Sequence, residues 1–295
     1  MSTSDVLRWE QMSVGDELGP LEYVVSTEVA HEFFEGSTID PAVVDRLGAV
    51  DGGVAHPMQT LTDYLWLIQE RYAPMGTGLH ASHETRCLRP IPLDQSLVAT
   101  GRILDLYTRR DRDYWVAAYE ISDADGVLVD HVMKAAIDRE AGTAPASAEQ
   151  KAGAAPGRTP RSTEKPATWS SFARHEFSLP MQRAYDRQYW LRRGVDFATP
   201  PNAHTSVEVA RGAGLPDAVA HSSHYYCWFA DAALLEFGTE WMSDGTLSAR
   251  FLAPVYPGET VVIEGGRAGD ELRLRAVDAA GRPVAVGTAL SCSRD

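Results

Sequence analysis

Only three cysteines occur in 295 residues: Cys87, Cys227 and Cys292. An odd, scattered trio does not make a disulfide framework, and it reads as reduced thiols in a cytoplasm, each a small buried residue rather than a nucleophile. Positive charge is also scarce. Lys and Arg number 27 against 41 Asp and Glu, a net charge of −14. Such a surface repels phosphate backbones, so nucleic acid and anionic membranes are poor partners. No apolar run reaches the ~18 residues that a membrane span needs. The opening residues, MSTSDVLRWEQ, have neither the basic nor the apolar region of a signal peptide. A Gly-rich phosphate loop, a Rossmann fingerprint and a G-x-S-x-G elbow are all missing, so a nucleotide enzyme and a serine hydrolase have no local support. The expectation is a soluble, cytoplasmic protein without a cofactor.

One composition shift divides the chain. Residues 139–168 are rich in Ala, Pro, Gly, Ser and Thr and lack apolar periodicity. They read as a flexible linker between an N-terminal unit, 1–138, and a C-terminal unit, 169–295. The two units look like copies. GGVAHPM begins at Gly52, and DAVAHSS begins at Asp217, so His56 and His221 align at an offset of 165. CLRPIPLDQSLVATG and FLAPVYPGETVVIEG align Pro90 with Pro254 at an offset of 164. A near-constant offset across separate motifs is the trace of a duplication.

Each copy has the same expected order. A short strand (LEYVVS or ARHEFSL) precedes a helix (STEVAHEFFEG or PMQRAYDRQYWLRRG), then an irregular loop. A second helix begins just after Val-Ala-His. In the first copy Met58, Leu61, Leu65, Ile68 and Tyr72 give it helical spacing. In the second, YYCWFADAALLEF is apolar nearly all round, so that helix must be enclosed. Strands follow, among them ELRLRAV, where Leu272, Leu274 and Ala276 alternate with Arg273 and Arg275. The fold class is α+β: in each copy an antiparallel sheet of about five strands wraps around a central helix.

That arrangement resembles the hotdog fold, and two copies in tandem resemble a double hotdog. The stretch from His204 to His221 sharpens the likeness. MaoC-like (R)-specific enoyl-thioester hydratases carry Gly-Asp-x-Asn-Pro-x-His, then a segment like Ala-Gly-Leu-Pro, then Ala-His opening the central helix. Here His204 is followed by TSVEV, Ala210 and AGLPDAVAH. The resemblance implies a hydratase or dehydratase acting on a 3-hydroxyacyl/enoyl thioester of CoA or acyl carrier protein. It also implies a catalytic C-terminal half beside a partner half that keeps GVAHPM but has no counterpart of His204. The halves could pair within one chain as a monomeric pseudo-dimer, or the chain could form a homodimer.

The chemistry needs a proton carrier, a base for water and a site for an enolate oxygen. A His and a carboxylate sharing one water meet the first two needs near neutral pH. Free N–H groups at a helix N-terminus meet the third. His204 is the expected proton carrier. Contacts to the oxyanion and substrate are expected from His221, Ser222, Ser223, His224 and Asn202, with the Ser222 N–H as oxyanion donor. The carboxylate is the difficulty. Five residues before His204, where the family has Asp, stands Thr199; Asp196, eight residues before, is the partner if the loop carries an insertion. With Thr199 in place, isomerisation or ring closure of a polyketide-like substrate is the alternative, as is a non-catalytic acyl-binding subunit. His221/His224 and His80/His83 both form H-x-x-H. The second pair is expected at a strand start, where i and i+3 point to opposite faces, and no third ligand stands at supportive spacing, so no metal site is expected.

Overall fold

In a computed structural model of the chain, residues 7–50, 52–72, 78–109, 112–137, 165–194 and 201–291 are described. The first half runs β1 (Glu17–Val24), α1 (Thr27–Ser37), α2 (Pro41–Gly48), α3 (Asp63–Arg71), β2 (Gly78–Cys87), β3 (Ser96–Arg109), β4 (Arg112–Asp123) and β5 (Gly126–Ile137). The second runs β6 (Ser170–Glu176), α4 (Leu179–Arg192), α5 (Val207–Gly212), α6 (Ser222–Phe237), α7 (Trp241–Asp244), β7 (Thr246–Phe251), β8 (Thr260–Ala268), β9 (Glu271–Asp278) and β10 (Pro283–Leu290). The expected linker falls mostly outside the described residues.

The ten strands form one antiparallel sheet in the order β1-β3-β4-β5-β2-β7-β10-β9-β8-β6. Read from either edge, the order passes through equivalent strands of the two copies. At the centre β2 pairs with β7, and Glu84 lies opposite Ser248, its own equivalent at the offset of 164. Ser82 opposite Arg250 and Arg86 opposite Thr246 keep the same relation. A pseudo-twofold axis therefore passes through the Glu84–Ser248 pair, and the duplication is written into the register.

Local signals set the helix starts. Ser26, Ser178 and Ser206 each accept a backbone N–H as N-caps of α1, α4 and α5. Asp40 caps α2 with Pro41 in its first turn. Helix α6 is the enclosed one: Tyr226, Cys227, Phe229, Ala230, Ala232 and Ala233 have no exposed surface. They pack on Leu247, Ile263, Leu274 and Ala285 from the second-half sheet. Burying the larger of these side chains, such as Phe229, Leu247, Ile263 and Leu274, stabilises by roughly 1.5–3 kcal/mol each. Helix α1 crosses α4 closely because Gly36 has no side chain; a Cβ there would lie 2.7 Å from the Ala184 carbonyl carbon and the Tyr185 nitrogen. That contact holds α4 in place one residue before Asp186.

Two local expectations fail. The first-half helix does not begin at Met58. Residues 57–62 are turns, closed by N–H bonds such as Leu61 to the Met58 carbonyl (3.1 Å) and Asp63 to the Thr60 carbonyl (3.0 Å), and α3 starts at Asp63. The polar side chains of this stretch are committed elsewhere: Gln59 donates to Gln188, and Thr60 bonds His131. Met58 and Leu61 are still fully buried, so the apolar spacing reported burial but not helix. Second, His80 and His83 do not diverge. The β2–β5 register shifts between His80 and Ser82, and this bulge turns the two rings to the same side, 3.1 Å apart.

Buried charges tie the halves together. His56 accepts the Met58 N–H at Nδ1 (3.1 Å), which leaves the proton on Nε2 to donate to Asp231 of α6 (3.0 Å). Arg192 pairs with Asp63 at 2.6 Å, both side chains fully buried. His56→Ala would strand Asp231 inside the interface. It should cost about 3–5 kcal/mol, read as a lower denaturation midpoint with an unchanged m-value. A loss under about 1 kcal/mol would remove the pair from the list of supports.

Candidate active site

Three elements of the second half converge where α6 begins: α4, the turn at 202–206 and the residues just before α6. From the turn, Asn202 accepts the His204 N–H at its Oδ1 (2.8 Å). The Asn202 amide also donates to an Asp186 carboxylate oxygen. His204 donates its Nδ1–H to the Val219 carbonyl (2.8 Å). A carbonyl only accepts, so this bond assigns the tautomer and leaves the lone pair on Nε2. The His204 ring lies against His221, centroids 3.7 Å apart, and His221 Nε2 stands 3.4 Å from Asp186 Oδ1. The result is a closed circuit of Asp186, Asn202, His204 and His221. Asp186 is buried, while His204, His221 and Ser222 keep partial exposure, as groups that line a crevice must.

Asp186 points inward because Gln182, Tyr185, Asp186 and Tyr189 share the inner face of α4. Gln182 Oε1 accepts the His221 N–H (3.3 Å) and faces His224 Nε2 (3.1 Å). Helix α6 has no side-chain cap, so its first N–H groups, Ser222 and Ser223, carry the positive end of the dipole toward the same place. His224 is fully buried.

Electrostatics separates the two central groups. Burial would raise the Asp186 carboxyl, but hydrogen bonding to His221, the nearby imidazoles and the Asn202 amide outweigh it, and its pKa lies below the ordinary value. Burial drives His204 down to about 3, with His221 adding to the shift and Asp186 opposing it. At neutral pH the pair is an ionised carboxylate and a neutral imidazole.

His204, Asn202, His221, Ser222, Ser223 and His224 all fall in this cluster. Asp196 and Thr199 lie outside the described residues. Neither was needed to find a carboxylate near His204, because Asp186 stands there from a preceding helix. The signal was present: a carboxylate in an aromatic helical stripe with Tyr185 and Tyr189. Among the described residues no group of His, Cys, Asp and Glu is arranged to hold a metal ion. A cavity of about 1030 Å³ lies elsewhere. Its strand residues Thr100, Arg102, Ala118, Glu120, Val132 and Ser248 alternate with core-facing ones, so it is a groove on the outer face of the sheet.

No family model matches the sequence, and no curated protein matches it. Solved structures do match. A MaoC-like dehydratase from Phytophthora capsici superposes with a TM-score of 0.72 at 15% identity, over 97% of this chain and 98% of that one. A conserved hypothetical protein of Mycobacterium tuberculosis with a double hotdog fold gives 0.62 at 12% identity, over 98% and 99%. An acyl-ACP thioesterase from Bacteroides thetaiotaomicron gives 0.51 at 10% identity, over 96% and 99%. A shared fold does not carry one chemistry with it. No helix among the described residues is long and apolar enough to cross a membrane. By its sheet order, its paired copies and these likenesses, the chain is a double hotdog of the architecture that MaoC-like dehydratases adopt.

Proposed function

We propose that the protein is a hydratase/dehydratase that interconverts an enoyl thioester and its 3-hydroxyacyl form, on CoA or an acyl carrier protein. The observation that carries this reading is the buried carboxylate of Asp186, joined through Asn202 and His221 to a tautomer-fixed His204 at the uncapped start of α6. In the hydration direction His204 Nε2 takes a proton from water as the oxygen adds to the β-carbon. The π electrons move toward the thioester carbonyl, whose oxygen gains charge facing the Ser222 and Ser223 N–H groups. The imidazolium then returns its proton to the α-carbon. Water is consumed, no net proton is released, and ionised Asp186 stabilises the cation in between.

The carboxylate of Asp186 beside His204 supports hydration over the alternatives of isomerisation or ring closure and of a non-catalytic acyl-binding subunit, whichever residue stands at the family's aspartate position. The buried thiols Cys87 and Cys227 suit a reducing, cytoplasmic setting. His204→Ala tests the assignment. Loss of enone absorbance on hydration of a crotonyl thioester should slow by about 10²–10⁴-fold, while thermal stability stays near that of the parent. A loss below about tenfold removes His204 from the mechanism. Hydrolysis of the thioester, read as free thiol, would move the chain to the thioesterase chemistry that the same fold supports.

A further inference from the structure

Helix α4 is the wall behind the catalytic cluster, and it is polar where it is buried. Its six buried residues are Gln182, Tyr185, Asp186, Gln188, Tyr189 and Arg192. Each carries a polar atom, and none is aliphatic. A wall that holds an alkyl chain is lined mostly by hydrophobic side chains. Here Gln182 Nε2, Tyr185 Oη, Gln188 Nε2 and Arg192 Nε are buried without a hydrogen-bond partner, as is Gln59 Oε1 from the first half.

The bonds these side chains do make fix what they have left to offer. Gln182 Oε1 accepts the His221 backbone N–H (3.3 Å). A backbone N–H only donates, so the amide oxygen is on that side and the amide N–H2 is left over. Gln59 and Gln188 share one bond of 3.3 Å; whichever amide donates, one N–H2 and one oxygen remain. Burial is the first cause that raises the Tyr185 phenol, so it stays protonated and is a donor. The Ser223 hydroxyl stands near enough to bias that phenol, yet the two make no hydrogen bond of ordinary geometry. Arg192 is neutralised by Asp63 at 2.6 Å. Beyond Asp186 the wall therefore offers more donors than acceptors, and no net charge.

The unmatched donors begin at the cluster and lead away from it. The Tyr185 ring lies 5.2 Å from His221 and 4.8 Å from His224. Gln188 stands six residues along α4 from Gln182, a rise of about 9 Å, and there meets Gln59 of the first half. An alkyl tail laid along this wall would leave each O–H and N–H unpaired in a dry place, which is the costly case. A carbonyl or hydroxyl oxygen on the tail would pair them. A carboxylate tail would find no unpaired cation, since Asp63 holds Arg192.

We propose that the acyl chain taken by this site is oxygenated, with neutral keto or hydroxyl oxygens beyond C3 that Gln182, Tyr185 and Gln188 recognise from α4. The proposal rests on the thioester reading for the placement of the chain. The three residues set specificity in this scheme, while Asp186 on the same helix serves the chemistry.

The test compares chains of equal length: a 2-octenoyl thioester and its 6-oxo and 7-oxo forms. For the better oxo form kcat/KM should exceed that of the alkyl chain by about 10–10²-fold, the worth of a buried donor matched rather than left unpaired. Tyr185→Phe keeps the ring and removes the hydroxyl. It should cut that ratio by about fivefold or more, while Tm holds or rises because an unpaired buried group is gone. A hydroxyl with a merely structural role would do the reverse, lowering Tm and leaving the ratio as it was. Equal or better turnover of the alkyl chain overturns the proposal, and so does a ratio that Tyr185→Phe does not move. Calorimetry of saturated octanoyl and 7-oxooctanoyl thioesters on the full-length protein separates this from the hydration reading. Tighter binding of the oxo chain without any hydration would sink the hydratase and keep the acyl class. Hydration with the alkyl chain preferred would sink the acyl class alone, and binding of neither would sink both.

Discussion

Asp186→Asn is expected to lower crotonyl-thioester hydration by about 10²–10⁴-fold, as loss of a general acid–base group does. The substitution keeps the volume and planarity of the side chain. It removes the charge that opposes the depression of His204, and it turns one of the two acceptor oxygens that the Asn202 amide and His221 now face into an N–H2 donor. The imidazolium formed when His204 takes a proton would then stand without a counter-charge in the crevice. His204→Ala and Asp186→Asn should not add, because the two groups act as one unit. Asp196→Asn, made in parallel, should change kcat by no more than a few fold. The comparison discriminates sharply: a large loss at 196 with a small one at 186 would return the carboxylate to the loop and sink the role assigned to α4.

Acidification should unfold the chain earlier than carboxylates alone would. His83, His131 and His224 are almost wholly buried, and desolvation lowers each, His131 to about 3 and the other two well below the ordinary value. The folded state keeps these rings neutral, whereas the unfolded chain protonates them near 6.5. Stability from them is therefore complete above about pH 6.5 and drains as pH falls toward the folded values. Each proton is worth ~1.4 kcal/mol per pH unit, so three rings lose roughly 6 kcal/mol between pH 6.5 and 5. Against a total of about 5–15 kcal/mol that is a large share. Asp63 and Asp231, both raised by burial, act in the opposite direction but only nearer the carboxylate range. The Tm should drop by on the order of 10–20 °C from pH 7 to pH 5. An unchanged Tm over that interval would mean that these rings meet water or carry charge in the folded state.

The two halves of the chain were legible from one dimension. Repeated Val-Ala-His and Leu-x-Pro at a near-constant offset, strands of period two and a helix apolar on every side are local patterns. Each constrains its own segment whatever surrounds it. They led to the tandem hotdog, to the burial of Tyr226 and Trp228, and to His204, His221 and Ser222 meeting where α6 begins. What the tertiary structure decided are the meetings between segments. Asp186 became the carboxylate of the cluster because Gly36 lets α1 press against α4 and aim that face at His221. His80 and His83 came together because a bulge broke the period of two. Residues 57–62 stayed as turns because Gln59 found a partner in α4 across the interface and Thr60 one on β5, contacts that a helix would have pulled away. Nor could sequence distinguish His56 from its copy His221: the same tripeptide holds a ring that donates to Asp231 in one half and a ring lying against His204 in the other. Local periodicity sets which side of an element is buried. Which polar group waits on the other side of that burial depends on crossing angle, register and desolvation, and those exist only once the chain has folded.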